Sequence, residues 1–134
     1  MIVVDESIQD PLITEAIATW YRGQVLSVRN LRPGTLVKDD AIPPLLRTAA
    51  QPTFVTINVD DFWRKVEADR RYCIVAIVIE QHEALKVPLE LRRVLSIPEL
   101  RTKANRMGKV LRVRPTGIEY YMRDRQVHFL PWST

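Results

Sequence analysis

The segment PTFVTINVDDFW, residues 52–63, decides the fold class of this chain. Its first half, residues 53–57, is an apolar and β-branched run that predicts a buried strand. Its second half brings the acidic pair Asp60-Asp61 to the start of a short helical pattern, in which either residue could be the N-cap. A buried strand that leads directly into a helix is the repeating unit of α/β proteins.

Two other acidic pairs occupy the same kind of junction. Asp5-Glu6 closes the apolar run 2–4, and Asp39-Asp40 opens a helical pattern whose prolines, Pro43-Pro44, are tolerated in the first turn of a helix. Further strands are predicted at 24–28 and 72–79, and further helices at 11–22, capped by Asp10 and ended by Gly23, and at 83–95. This β-α-β-α-β-α-β-α order predicts a parallel sheet with right-handed crossovers.

The pattern changes after residue 95. A short helical piece at 98–105 is followed by β-type runs at 110–114, 117–122 and 126–130, which predict antiparallel hairpins. With 134 residues the chain fits a single domain, with its core at 1–95 and a β-rich C-terminal extension at 98–134.

Composition indicates an ordinary globular protein, with 46% hydrophobic and 27% charged residues. No apolar stretch reaches the roughly 20 residues that a membrane span needs, and the N-terminus lacks the features of a signal peptide. The only cysteine, Cys73, lies within an apolar run and predicts a small core residue. We therefore expect a cytoplasmic protein that does not bind membranes.

Charge is distributed unevenly along the chain. Residues 1–85 have a net charge of −3, whereas residues 86–134 carry 11 Lys/Arg against 4 Asp/Glu. A basic segment of this kind suits contacts with a polyanion, although a solvated basic surface explains it equally well. The candidates for contact with a nucleic-acid backbone are Arg112, Arg114, Arg123 and Arg125.

The three acidic pairs should meet at one place, because the carboxyl ends of parallel strands share an edge of the sheet. Clustered carboxylates repel one another unless a cation holds them, and hard oxygen ligands suit Mg²⁺ or Mn²⁺. Taken singly, Asp39, Asp40 and Asp61 are also explained as helix N-caps, while no helix is predicted to start beside Asp5. Thr56 could orient a ligand, but a plain strand position is favoured.

These junctions resemble the PIN-like nuclease superfamily, and in particular its short bacterial branch related to VapC toxins. The resemblance rests on Val3-Val4-Asp5-Glu6, on Asp39-Asp40-Ala41-Ile42 and on residues 54–62, and it covers about residues 2–95. It implies a three-layer α/β/α fold with a mainly parallel sheet, here with a C-terminal β-hairpin extension. It also implies a Mg²⁺- or Mn²⁺-dependent endoribonuclease that hydrolyses phosphodiester bonds, with RNA as substrate and an antitoxin protein as partner, and it allows a homodimer.

Carried over by position, the catalytic roles fall to Asp5, Asp39 or Asp40, Asn58 and Asp61. The metal ligands that the resemblance implies are Asp5, Asp40, Asp60 and Asp61, with the choice within each pair open. Asn58 stands where the family pattern calls for an acid, so the main alternative is an inactive PIN-like module that binds nucleic acid or another protein. A small phosphate-handling α/β regulator fits less well, because no phosphoacceptor with a partner lysine is recognisable.

Overall fold

Seven strands form one sheet in the computed structural model, which describes residues 1–34 and 37–132. The strands are β1 (Ile2–Val4), β2 (Val25–Ser27), β3 (Thr53–Thr56), β4 (Cys73–Ile77), β5 (Val110–Arg114), β6 (Gly117–Tyr121) and β7 (Val127–Leu130). Their order across the sheet is β2-β1-β3-β4-β5-β6-β7. The first five run parallel, and β6 and β7 are added antiparallel. The predicted α/β class with a mainly parallel sheet is confirmed.

Six short α-helices and four 3-10 turns connect these strands in the described residues. The helices are α1 (Pro11–Ala18), α2 (Val28–Leu31), α3 (Ile42–Arg47), α4 (Val59–Phe62), α5 (Val87–Val94) and α6 (Lys103–Arg106). The 3-10 turns are Glu6–Ile8, Asp39–Ala41, Gln81–Lys86 and Pro98–Leu100. None of the helices in the described ranges is long and apolar enough to cross a membrane.

Helices cover both faces of the sheet, as the alternation of buried side chains along each strand shows. In β1 and β3, Val4 and Val55 pack in a cluster with α1 and α5, whereas Val3 and Phe54 pack in a second cluster with α3 and α4. All five residues of β4 are buried, because this strand lies at the centre of the sheet with helices on each side. Cys73 is one of them, as predicted, and burial raises the pKa of its thiol to about 12.

Proline marks the start of three helices, as the sequence predicts. Pro11, Pro43 and Pro88 each lie in the first turn, where no backbone N–H is needed. The predicted C-cap at Gly23 is wrong, since α1 ends at Ala18. There the Thr19 hydroxyl donates to the Ala16 carbonyl at 2.6 Å and competes with the helical backbone pattern.

The C-terminal segment is more closely integrated than an extension to residues 1–95 would be. Strand β5 pairs in parallel with β4, from Ile74↔Val110 to Ile77↔Val113, and so becomes the fifth parallel strand. Val110, Leu111 and Val113 are buried in the two core clusters. Only β6 and β7 form the antiparallel addition, and their hairpins match the prediction.

The strand order locates the part of the edge where a ligand site is expected. The parallel strands follow the order 2-1-3-4-5, one of the two common orders of doubly wound sheets. From β1 the chain crosses to β2 on one side and later to β3 on the other. Sheets of this kind bind ligands outside the carboxyl ends of the strands at that reversal, which here lies between β1 and β3.

Candidate active site at the carboxyl edge of the sheet

Asp5 is the buried carboxylate of this edge, with only 6% of its surface exposed. It follows β1 directly. Its Oδ1 accepts from the Glu6 backbone N–H at 2.7 Å, and its Oδ2 accepts from the hydroxyls of Thr56 at 2.7 Å and Ser7 at 3.3 Å. Burial raises the pKa of Asp5, while these three hydrogen bonds oppose the rise. The expectation that no helix begins beside Asp5 is wrong, because the residue caps the 3-10 turn Glu6–Ile8.

Thr56 ties the ends of the two central strands together. While its hydroxyl donates to Asp5, the same oxygen accepts from the Asn58 backbone N–H at 2.9 Å. The residue is fully buried at the end of β3 and therefore occupies a strand position, as the sequence favours. Its hydroxyl also binds the carboxylate of Asp5, which follows the neighbouring strand β1, and the sequence around Thr56 does not indicate this contact.

Asn58 connects two acidic segments. Its amide Nδ2 donates to Asp61 Oδ2 at 2.6 Å and to Asp39 Oδ2 at 3.2 Å. Asn58 precedes α4 without capping it through its side chain, so its amide is free to make these contacts. An uncharged donor thus lies between two carboxylates.

Asp39 has the most perturbed carboxyl group of the cluster. Burial, the hydrogen bond shared with Asp61 and the negative charges of Asp5, Asp61 and Asp40 together raise its pKa to about 6. Of these neighbours, Asp61 is joined to Asp39 through the Asn58 amide. Asp40 and Asp61 are both exposed.

None of the four helix-start acids is an N-cap, contrary to the capping interpretation. Lys38 precedes the 3-10 turn that begins at Asp39, and Asn58 precedes α4, so Asp39, Asp40, Asp60 and Asp61 all lie inside first turns. Negative charge is favourable there, but no backbone N–H requires these carboxylates. Their side chains are consequently available for other contacts.

The donor atoms of the cluster suit a hard cation by their chemistry. They are carboxylate oxygens together with an amide whose oxygen is also a ligand for Mg²⁺ or Mn²⁺. Within the described residues, no three Asp, Glu, His or Cys side chains are already arranged as a metal-binding group. In the structure the Asn58 amide hydrogens, which cannot bind a cation, point to Asp39 and Asp61.

A groove of about 410 Å³ adjoins the cluster at the ends of β3, β4 and β5. Its lining includes Asn58, three acids and two arginines, namely Asp60, Glu80, Glu83, Arg112 and Arg114. Two N–H groups of Arg112 donate to Glu119 Oε1 at 3.0 and 2.8 Å, and Arg114 donates to the same oxygen at 3.2 Å. The guanidinium of Arg112 also lies 4.7 Å from the centre of the Trp63 ring. Two of the four predicted backbone-contact arginines therefore lie next to the acids.

The other two arginines are elsewhere. Because β6 runs antiparallel to β5, the turn between β6 and β7 lies at the amino edge of the parallel strands. That turn carries Arg123 and Arg125, which are exposed at the end of the sheet opposite Asp5. The predicted set of four arginines is thus divided between two surfaces.

Comparisons with protein-family models, with curated proteins and with solved structures found no match to this chain.

Proposed function

We propose that this protein is a Mg²⁺- or Mn²⁺-dependent ribonuclease with a PIN-like fold. The observation that supports this proposal is that Asn58 joins Asp39 to Asp61 at the reversal point of the sheet, where Thr56 links Asn58 to the buried Asp5. Burial and the neighbouring carboxylates raise the pKa of Asp39 to about 6. Repulsion of this kind costs folding free energy, and a bound cation would offset it.

The residues divide the work according to their environment. Asp5 is fixed by three hydrogen bonds and would be the most rigidly held ligand, and Asp39 and Asp61 would complete the set. The ion, when bound, would activate a water molecule and stabilise negative charge on the scissile phosphate. Asp40 and Asp60 are exposed at the margin of the cluster and would contribute charge or further ligation.

Substrate binding falls to basic groups of the chain. Arg112 and Arg114 line the same groove as Asn58 and Asp60, and they would hold a phosphodiester next to the acids. In the toxin-like form of this proposal, an antitoxin protein inhibits the enzyme.

A second candidate function is an inactive module of the same fold that binds nucleic acid. Asn58 favours it, because its amide hydrogens offset part of the repulsion between Asp39 and Asp61 without any metal. The two functions differ in their response to metal. A site that binds only the folded state stabilises the protein by about 2.7 kcal/mol when the free ion is at 100 times its Kd.

The test is a thermal unfolding series with Mn²⁺, combined with an RNA cleavage assay, on the wild type and two matched variants. Asp5→Asn removes one charge from the cluster, and Asp10→Asn makes the same change at the α1 N-cap, where asparagine caps equally well. We expect Asp5→Asn to lose both the Mn²⁺-dependent stabilisation and cleavage, and Asp10→Asn to retain both. If the wild type binds RNA but shows neither metal stabilisation nor cleavage, the binding module is the correct function.

A further inference from the structure

Arginine side chains line a second groove, at the opposite end of the sheet from Asp5. This amino-edge groove has a volume of about 410 Å³, and its wall includes Arg47, Arg70, Arg71 and Arg123 around the buried Tyr72. A smaller cavity of about 170 Å³ continues it past Arg123 to Arg125. The basic residues come from α3, from the loop before β4 and from the β6–β7 turn, three segments that are distant in sequence.

The charges of the amino-edge groove are not balanced from within. Two acids line it, and one of them, Asp69, is already bound by Arg71 through contacts of 3.0 and 2.8 Å, which lower its pKa to about 2. Among the described residues, Arg47, Arg70 and Arg123 form no ion pair within 4.0 Å. Glu67 is the other acid and has no ion pair within that distance either. The groove therefore presents a net positive charge to solvent.

Two tyrosine hydroxyls hold the loop that carries Arg70 and Arg71. The Tyr72 hydroxyl donates to the Glu67 carbonyl, and the Tyr121 hydroxyl donates to the Val66 carbonyl. Both tyrosines are almost fully buried and pack in the same core cluster. These hydrogen bonds fix the loop 66–72 against the sheet, so this part of the groove is formed before a ligand binds.

We propose that the amino-edge groove binds the phosphate backbone of a nucleic acid, as an anchoring site away from the acidic cluster. That this nucleic acid is RNA rests on the proposed function. That the ligand is a polyanion rests on the arginines of the groove itself. Guanidinium groups match phosphate oxygens in geometry, and several of them along one groove suit a chain of phosphates better than a single anion. The contact is independent of base sequence, since backbone contacts carry no sequence information.

The two ends of the sheet lie within reach of one RNA strand. Strand β6 has five residues and separates the two edges, which corresponds to about 17 Å. A stacked strand rises about 3.4 Å per nucleotide, so about five stacked nucleotides cover this distance.

The test measures equilibrium binding of a fluorescent 20-nucleotide single-stranded RNA in EDTA, with the full chain and over a series of salt concentrations. The groove variant is Arg47→Gln with Arg123→Gln. The matched control is Arg29→Gln with Arg92→Gln, which removes the same charge from exposed positions on α2 and α5. Circular dichroism confirms that both variants fold, and the single variant Arg70→Gln repeats the test at a third position.

Each phosphate contact to a single strand contributes about 0.7 to the magnitude of the slope of log K against log salt. The loss of two contacts should therefore lower the magnitude of that slope by about 1.4 and weaken binding about 25-fold at 0.1 M salt. The control should stay within about threefold of the wild type. Wild-type affinity and slope in the groove variant, or no RNA binding by the wild type, would overturn the proposal. The proposal would also be overturned if the groove variant lost binding to poly-glutamate, a polyanion without phosphates, but kept its binding to RNA.

Because the binding assay contains EDTA, its result does not depend on metal-dependent cleavage, which is measured in a separate assay. Asp5→Asn should abolish cleavage without lowering RNA affinity in EDTA, and the groove variant should lower affinity in the absence of any metal. If cleavage is never detected but the groove variant still loses binding, the groove proposal stands and the nuclease proposal fails.

Discussion

Replacing Thr56 by valine should destabilise the protein mainly through Asp5. The substitution keeps the shape of a buried side chain but removes the hydroxyl that donates to Asp5 at 2.7 Å and accepts from the Asn58 N–H at 2.9 Å. A hydrogen bond to a buried charged group is worth about 1.5–3 kcal/mol, and leaving the N–H without its partner adds to the loss. We expect a decrease of about 3 kcal/mol in the free energy of unfolding at pH 7.

Urea unfolding of Thr56→Val and Thr56→Ser at pH 7 and pH 5 tests this reasoning. Serine keeps both hydrogen bonds and removes one methyl group, which costs about 1 kcal/mol. The hydrogen bond from Thr56 favours ionised Asp5, so its loss raises the pKa of Asp5 further and the destabilisation by valine should shrink as the pH falls. The reasoning is refuted if valine is as stable as serine, or if its deficit is the same at both pH values.

Three further results follow from the structure. The free energy of unfolding of the wild type in EDTA, measured by urea titration, should rise as the pH falls from 7 to 5. Asp39 has a pKa of about 6 in the folded state against an ordinary 3.8, so the folded protein binds more protons than the unfolded chain in this range. Asp39→Asn should therefore flatten the rise. Gly117→Ala should cost about 2 kcal/mol in the same assay, since φ is +149° and a Cβ would lie 2.5 Å from the Phe129 ring; an unchanged midpoint would contradict the steric argument. Arg114→Gln should lower the free energy of unfolding by less than about 1 kcal/mol, because its ion pair is exposed. Arg112→Gln should lower it by more, because Arg112 also contacts the Trp63 ring. Equal losses would mean that the contact with the Trp63 ring contributes nothing.

Much of the architecture was predictable because it depends on local patterns. Continuous apolar runs are the mark of strands buried on both faces, and β4 proved to be such a strand. Proline positions located three helix starts. The role of β5 was not predictable in this way, because its sequence, with arginines at alternate positions, is that of a strand exposed on one side. Only the pairing with β4 makes it part of the parallel sheet.

The placement of the acids was predictable, but their contacts were not. That acids after strand ends lie at one edge of the sheet follows from the parallel topology alone. The hydrogen bonds of Thr56 and Asn58 could not be anticipated, because each depends on the spatial distance between segments that are far apart in sequence. Asn58 contacts Asp39 across 19 residues, and Thr56 contacts Asp5 across 51.

Strand direction also explains why the basic residues belong to two surfaces. Arg112 and Arg114 precede the β5–β6 hairpin and lie at the carboxyl edge, whereas Arg123 and Arg125 follow β6 and lie at the amino edge. A charge count along the chain places all four in one basic segment, but five residues of antiparallel strand separate the two pairs in space. Arg112 and Arg114 lie in a groove lined by three acids, whereas Arg123 lies in a groove with three more arginines and two acids, so the electrostatic environments differ at the two ends. Removing a charge should therefore affect metal-dependent chemistry at the carboxyl edge and salt-dependent binding at the amino edge, and the two effects can be measured independently.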